Sequence, residues 1–249
     1  MSAPTLGSCC IRGVSHEGTP KGTVTSFNGT PTYVTLPSGD YDKTKALLFC
    51  PDVFGLELQN AKLLADDFAA NGYATYLPDY LAGDALHKDA LNDGTFDLMG
   101  WLGKHPQSVT RPYLDALIAG LKEQGVKEFA ATGYCYGGRY VFDLALDHII
   151  KVAIVSHPSL LSVPEDLEKL KSVGTIPFLW NTCETDFAFG PEKQEIADKV
   201  FADDKNYKRT FAPGCDHGFA VRGDLSVPAI KAGKEVAFEE SVKWLQKHF

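Results

Sequence analysis

The sequence contains no apolar run approaching the roughly 18 residues that a membrane-crossing helix needs, so no membrane partner is expected. Its opening, "MSAPTLGSCCIRG", lacks the basic stretch and apolar core of a secretory signal. Ser2 excludes N-myristoylation, and the closing "KHF" is not a peroxisomal address. There is no C-x-x-C and no H-x-x-x-H pairing, so a metal site of the zinc type is not expected. The glycine pattern of a dinucleotide loop and the Lys-Ser/Thr of a P-loop are missing as well. Basic residues are in the minority, 24 Lys+Arg against 32 Asp+Glu, and a net charge of −8 argues against a nucleic-acid partner. It does not exclude an anionic substrate, because a local Lys/Arg pair can dominate one cleft. Six cysteines without a secretory signal imply a reduced, cytoplasmic protein.

What is present is enough for one large core. The 249 residues are 44% hydrophobic and 22% charged, as in an ordinary globular domain, and without a linker or repeat they read as a single domain, 1–249. Short β-branched or apolar runs recur at "KALLFC" (45–50), "YATYLPD" (73–79), "FAATGYC" (129–135), "KVAIVSHP" (151–158), "PFLWNTC" (177–183) and "YKRTFAPG" (207–214). Helical spacing lies between them. In "ELQNAKLLADDFAANG" the residues Leu58, Ala61, Leu64, Ala65 and Phe68 share a face that stops at Asn71-Gly72. "SVTRPYLDALIAGLKEQG" repeats the pattern, with Gly125 past its end. Alternating strands and helices predict an α/β fold, a mostly parallel sheet covered on both faces, and residues 24–36 read as an antiparallel edge hairpin. Residues 80–109 carry no clean period. This excursion reads as a lid with Phe96, Met99, Trp101 and Lys104 in the pocket wall, or equally as a surface loop with its own small cluster.

The chemistry concentrates in "ATGYCYGGRY" (130–139), where three glycines surround Cys135 between a strand and a helix. Gly133 and Gly137 relieve the crowding of a tight turn. This is the pattern of a nucleophile elbow, G-x-S-x-G, with Cys in place of Ser. The turn projects the side chain above the sheet, and the helix N-terminus behind it favours a thiolate. An elbow of this kind requires an acid and then a histidine after later strands. Asp186 follows "PFLWNTC", and His217 follows "YKRTFAPG". Both therefore fall at the C-terminal strand edge, where open α/β sheets bind ligands. Asp216 and Glu184 are rival acids. Of the other histidines, His157 lines the pocket or packs, while His16, His87, His105, His148 and His248 read as surface or loop residues. The oxyanion donors should be the N–H of Tyr136 and that of Val53, in the loop "PDVFGLE" after the first central strand. Asp52 in that loop either accepts the thiol proton or caps the helix beginning near Leu56. Cys50, Cys183 and Cys215 read as small core residues, and Cys9 and Cys10 as packing in the N-terminal segment.

Taken together, "CCIRGVSHEGTPKGT", "PDVFGLE", "YATYLPD", "GYCYGGR", "SHPSL", the Asp186 loop and "HGFAVRGD" resemble, in order and over almost the whole chain, the dienelactone hydrolase (carboxymethylenebutenolidase) family, particularly its fungal-type members. The resemblance implies an α/β-hydrolase fold and a Cys135–His217–Asp186 triad with no metal or organic cofactor. It also implies hydrolysis of a small-molecule enol-lactone or activated ester through an acyl-thioester. Bacterial members carry Glu where Asp52 stands, and they hold a lactone carboxylate with two arginines. Arg222 lies in the corresponding stretch after His217, displaced by about one position, with Lys104 or Arg111 as candidates for the second cation. Two other functions use the same residues differently. A thiol redox or electrophile-scavenging protein would need Cys135 without Asp186 and His217, and a silent binding scaffold would need only the fold. The sequence leaves the oligomeric state open.

Overall fold

The computed structural model describes Val14, residues 17–91 and residues 94–249. Its strands are β1 (Thr23–Phe27), β2 (Thr30–Thr35), β3 (Lys45–Cys50), β4 (Thr75–Pro78), β5 (Glu128–Tyr134), β6 (Val152–Ser156), β7 (Phe178–Thr185) and β8 (Tyr207–Asp216). They form one eight-stranded sheet in the order β1-β2-β4-β3-β5-β6-β7-β8. The hairpin β1–β2, closed by Asn28-Gly29, and the pairing of β2 with β4 are antiparallel; every other pairing is parallel. The expected mostly parallel sheet with an antiparallel edge is therefore observed. Its central strands are buried along nearly their whole length, as strands covered on both faces must be.

Eight helices cover the sheet among the described residues: α1 (Gln59–Ala70), α2 (Leu98–Lys104), α3 (Gln107–Glu123), α4 (Tyr136–Leu146), α5 (Glu165–Val173), α6 (Pro191–Val200), α7 (Phe219–Arg222) and α8 (Pro228–His248). Alternation along the strands sorts them into two layers. Leu47 and Phe49 of β3 share a core with Ala61, Leu64, Ala65 and Phe68 of α1 and Phe238, Val242 and Leu245 of α8. Ala46, Leu48 and Cys50 face the other way, into a core with α3, α4, α5 and α6. Both faces are thus filled by the apolar stripes that the helical spacing predicts.

Residues 80–109 are more ordered than their sequence suggests. Asp97 caps α2, its Oδ1 accepting the Gly100 N–H at 2.9 Å, and the segment is anchored through Trp101. The Trp101 indole is buried, donates to the Asp84 carbonyl at 3.0 Å and lies edge-on to Tyr136 at 6.2 Å. Met99 and Lys104 are exposed, and Phe96 is 37% exposed, so of the four residues expected in a pocket wall only Trp101 points inward. His105, read as a surface or loop residue, lies in the turn between α2 and α3 but not at the surface. It is buried, stacked on Trp101 at 4.0 Å, and its Nδ1 lies 2.8 Å from the Trp101 carbonyl. No described helix is long and apolar enough to cross a membrane. Cys9, Cys10 and His16 lie outside the described residues.

Candidate active site

Parallel pairing fixes where the strands end relative to one another. Cys50 sits opposite Gly133, Tyr134 opposite Ser156, Ser156 opposite Asn181, and Thr185 opposite Asp216. The residues just past these pairs are Asp52 and Val53 after β3, Cys135 after β5, His157 after β6, Asp186 after β7 and His217 after β8. Five successive strands therefore deliver their next residues to one edge of the sheet.

Cys135 occupies the N-cap of α4 with φ 50° and ψ −115°, a backbone state that side chains rarely adopt. The strain falls on the cysteine and not on its glycines. Gly137 serves the turn by its lack of a side chain: a Cβ there would lie 2.0 Å from the Cys50 carbonyl oxygen, so the first turn of α4 passes against the end of β3. The thiol is 8% exposed, and its Sγ lies 3.4 Å from Ser159 Oγ.

His217 and Asp186 meet directly. His217 Nδ1 donates to Asp186 Oδ1 at 2.8 Å, while the N–H groups of Ala188 and Phe189 donate to the same oxygen at 2.8 and 2.9 Å. Burial would raise the Asp186 carboxyl, but the His217 contact and these two N–H groups hold it below its usual range. Burial likewise opposes charge on His217. It is outweighed by Asp186 and the neighbouring Cys135, and the imidazole is pushed up to about 9. Among the described residues His217 Nε2 has no hydrogen-bond partner. The rival acids lie elsewhere: Asp216 is exposed, and Glu184 accepts the Gly214 N–H at 2.7 Å.

The remaining expected residues divide. Asp52 is buried and closes its own turn, with Oδ1 accepting the Phe54 N–H at 3.0 Å; its Oδ2 faces Arg222 Nε at 3.5 Å. Burial pushes Asp52 up to about 6 against the opposing pull of Arg222. Asp52 thus closes the turn before the short 3₁₀ helix Gly55–Glu57 without capping it, the N-cap there being Phe54 with no side-chain cap, and it makes no hydrogen bond to Cys135. Arg222 also lies over the Phe54 ring at 5.1 Å and borders a cavity of about 570 Å³ shared with Asn60, Leu86, His87 and Lys88. His157 is fully buried with neither ring nitrogen hydrogen-bonded among the described residues, and its ring lies 4.9 Å from His217. Burial, with His217 and Arg222 nearby, holds it well below the usual imidazole value, so it is neutral. The Tyr136 N–H belongs to the first turn of α4, whose donors have no intrahelical acceptor. Lys104 ends α2 at an exposed position and makes no hydrogen bond or ion pair with Asp52, Cys135, Asp186, His217 or Arg222. Arg111 is bound to Asp115 and Asp147.

Three neighbours escaped the sequence reading. Ser159 touches the thiol, Phe54 stacks on Arg222, and Phe187, 80% exposed, lies over His217 at 4.5 Å. Each stands beside a residue that reading named, Ser159 two after His157, Phe54 next to Val53 and Phe187 next to Asp186, but no spacing marks the contacts they make.

The arrangement can activate a thiol beside an imidazole oriented by a carboxylate. The family model described as Dienelactone hydrolase family matches residues 30–249. The chain is 35% identical to Hydrolase pyvD of Aspergillus violaceofuscus over 250 residues, covering 100% of this chain and 99% of that protein. It is 32% identical to Dienlactone hydrolase 1 of Gibberella moniliformis, over 95% and 92% of the two chains. Among solved structures it is similar to a dienelactone hydrolase-like promiscuous phosphotriesterase from metagenomic libraries. The TM-score is 0.67 at 19% identity, covering 93% of this chain and 100% of that one, a likeness of fold. With a family match across most of its length and near-full-length relatives above 30% identity, the chain belongs to the dienelactone hydrolase family, hydrolases built on the α/β-hydrolase fold.

Proposed function

We propose that this hydrolase opens enol-lactones or activated carboxylic esters through an acyl-thioester on Cys135, with His217 and Asp186 completing a triad. The observation that carries the reading is the strained Cys135 backbone at the head of α4, beside a His217–Asp186 pair closed at 2.8 Å. His217, held in one tautomer by Asp186, takes the thiol proton on Nε2. The thiolate adds to the carbonyl carbon, and the N–H groups of Val53 and Tyr136 receive the developing oxyanion. Collapse of the tetrahedral intermediate breaks the carbon–oxygen bond and releases an enolate or alkoxide, protonated by His217 or by solvent. Water, deprotonated by His217, then adds to the thioester, and its collapse returns the thiolate.

We assign Arg222, which borders the cavity, to a carboxylate on the substrate. Asp52 already faces it, so a substrate carboxylate would compete with an internal one. The small-molecule substrate is accordingly an ester or lactone bearing an acidic group near the scissile bond. The test is a burst assay with p-nitrophenyl acetate and intact-mass detection. Wild type should turn over and carry an acetyl adduct, and both should vanish in Cys135→Ala. Turnover that survives in Cys135→Ala would remove the thiol from the mechanism.

A further inference from the structure

The stretch Ser156–Leu160 touches both halves of the site. The His157 ring packs edge-on against His217, and Ser159 Oγ lies 3.4 Å from Cys135 Sγ. This position is built by three further features. The Ser159 N–H donates to the Cys135 carbonyl at 3.0 Å, tying the hydroxyl to the residue whose thiol it meets. Its neighbours His157 and Leu160 adopt φ 39° and 62°, both costly for residues with side chains. Gly138 makes the room, since a Cβ there would lie 2.7 Å from Pro158 Cβ and 2.9 Å from Pro158 Cα. The second of the paired glycines in "YGG" is therefore the point where the Pro158–Ser159 loop crosses the elbow. Two strained residues and a bare glycine bring a hydroxyl to the sulfur.

We propose that Ser159 is a further catalytic residue, whose hydroxyl donates to the Cys135 thiolate and stabilises the thiolate–imidazolium pair with His217. This rests on the reading of Cys135 as the nucleophile. The direction of the bond follows from the surroundings. Once His217 has taken the thiol proton the sulfur can only accept, so the hydroxyl is the donor in this pair. Around His217 stand neutral His157 after β6 and Asp52, which faces Arg222. The serine keeps its proton throughout. When sulfur adds to the carbonyl its charge passes to oxygen, and when the thioester breaks down sulfur recovers that charge facing the same donor. Ser159 thereby raises the thiolate fraction at rest and improves the thiolate as a leaving group in deacylation.

The test is the rate at which iodoacetamide alkylates Cys135 in the full-length protein between pH 5 and 10. The mass of the Cys135 peptide is followed, so that the other thiols do not contribute. Relative to wild type, Ser159→Ala should slow alkylation at pH 6 by about five- to tenfold and converge to within about twofold above pH 9. Ser159→Thr, which keeps the hydroxyl, should recover most of the loss. An unchanged profile in Ser159→Ala would overturn the proposal. So would faster alkylation at pH 6, which would make the serine an acceptor holding the thiol neutral. A Ser159→Thr profile as slow as that of Ser159→Ala would assign the effect to packing. Because alkylation reads the thiol and not turnover, failure of the nucleophile reading shows up separately, as ester hydrolysis persisting in Cys135→Ala.

Discussion

Asp186 concentrates three hydrogen bonds on one carboxylate oxygen, from His217 Nδ1 and from the N–H groups of Ala188 and Phe189. The two backbone donors fix the carboxylate, and the carboxylate fixes the imidazole. Asp186→Asn can keep all three donors on its one remaining oxygen but removes the negative charge that favours the protonated His217. Turnover of p-nitrophenyl acetate should fall by about two to four orders of magnitude in steady-state assays, as when an orienting acid is lost from other triads. Stability should respond to pH as well. His217 titrates near 9 in the fold against an ordinary 6.5, so its pairing contributes fully below about pH 6.5 and is lost as pH rises through 9. The gap between wild type and Asp186→Asn in urea midpoint should therefore be wide at pH 6 and narrow at pH 10; a gap independent of pH would detach the raised imidazole from Asp186. That Asp186 and His217 come together was legible because each follows a strand in the order the elbow demands. Ser159 and Phe187 were not, since their roles depend on how two loops cross and not on any spacing within the chain.

The turn from β5 into α4 is the element on which the site depends, and its tolerance can be measured at one atom. A Cβ on Gly137 would meet the Cys50 carbonyl oxygen at 2.0 Å, the Cys50 carbonyl carbon at 2.5 Å and the Pro51 oxygen at 2.7 Å, all backbone. None of these is the end of a flexible side chain. Gly137→Ala should cost more than about 3 kcal/mol in urea unfolding and abolish activity with it. Gly103→Ala in α2 is the matched control. Nothing lies within 4 Å of a Cβ there, so helix propensity alone should make it neutral or stabilising by up to about 1 kcal/mol. The same contrast explains what could be read of the elements from sequence. Strands such as β3 and β6 announce themselves as short apolar runs bounded by turns, and α1 and α3 by apolar residues returning every third or fourth place. The helix α2 has seven residues, two of them glycine, and buries only Trp101, so no period exists to be seen. Its order comes from contacts distant in sequence. Tyr136 of the elbow helix donates to the His105 carbonyl at 2.7 Å and meets Tyr140 at 2.9 Å, tying residues 101–105 to the element that carries Cys135.

Across the whole molecule, five strand ends are brought to one edge, and that convergence places a buried carboxylate against an arginine in a chain whose net charge is −8. No sequence pattern pairs Asp52 with Arg222, because the pairing is made by the sheet order and by the short helix α7 after His217. Its energetics are a property of the fold. Asp52 titrates near 6 in the folded chain against an ordinary 3.8, so the folded state favours the protonated acid despite Arg222. The sign follows: relative to the ionised form, the fold is favoured below about pH 3.8, and that advantage is lost as pH rises through 6. Above pH 6 the buried anion costs about 3 kcal/mol, which is what remains after Arg222, with its side chain 30% exposed, has offset part of the burial. Asp52→Asn removes the titration and keeps an oxygen for the Phe54 N–H. Its unfolding free energy should therefore move in its favour relative to wild type by about 2–3 kcal/mol between pH 4 and pH 8, measured by urea denaturation. A difference that stays constant with pH would mean that Arg222 fully compensates the burial. The carboxylate would then be held in place by its partner and not merely tolerated by the fold, and a substrate carboxylate would find it correspondingly hard to displace.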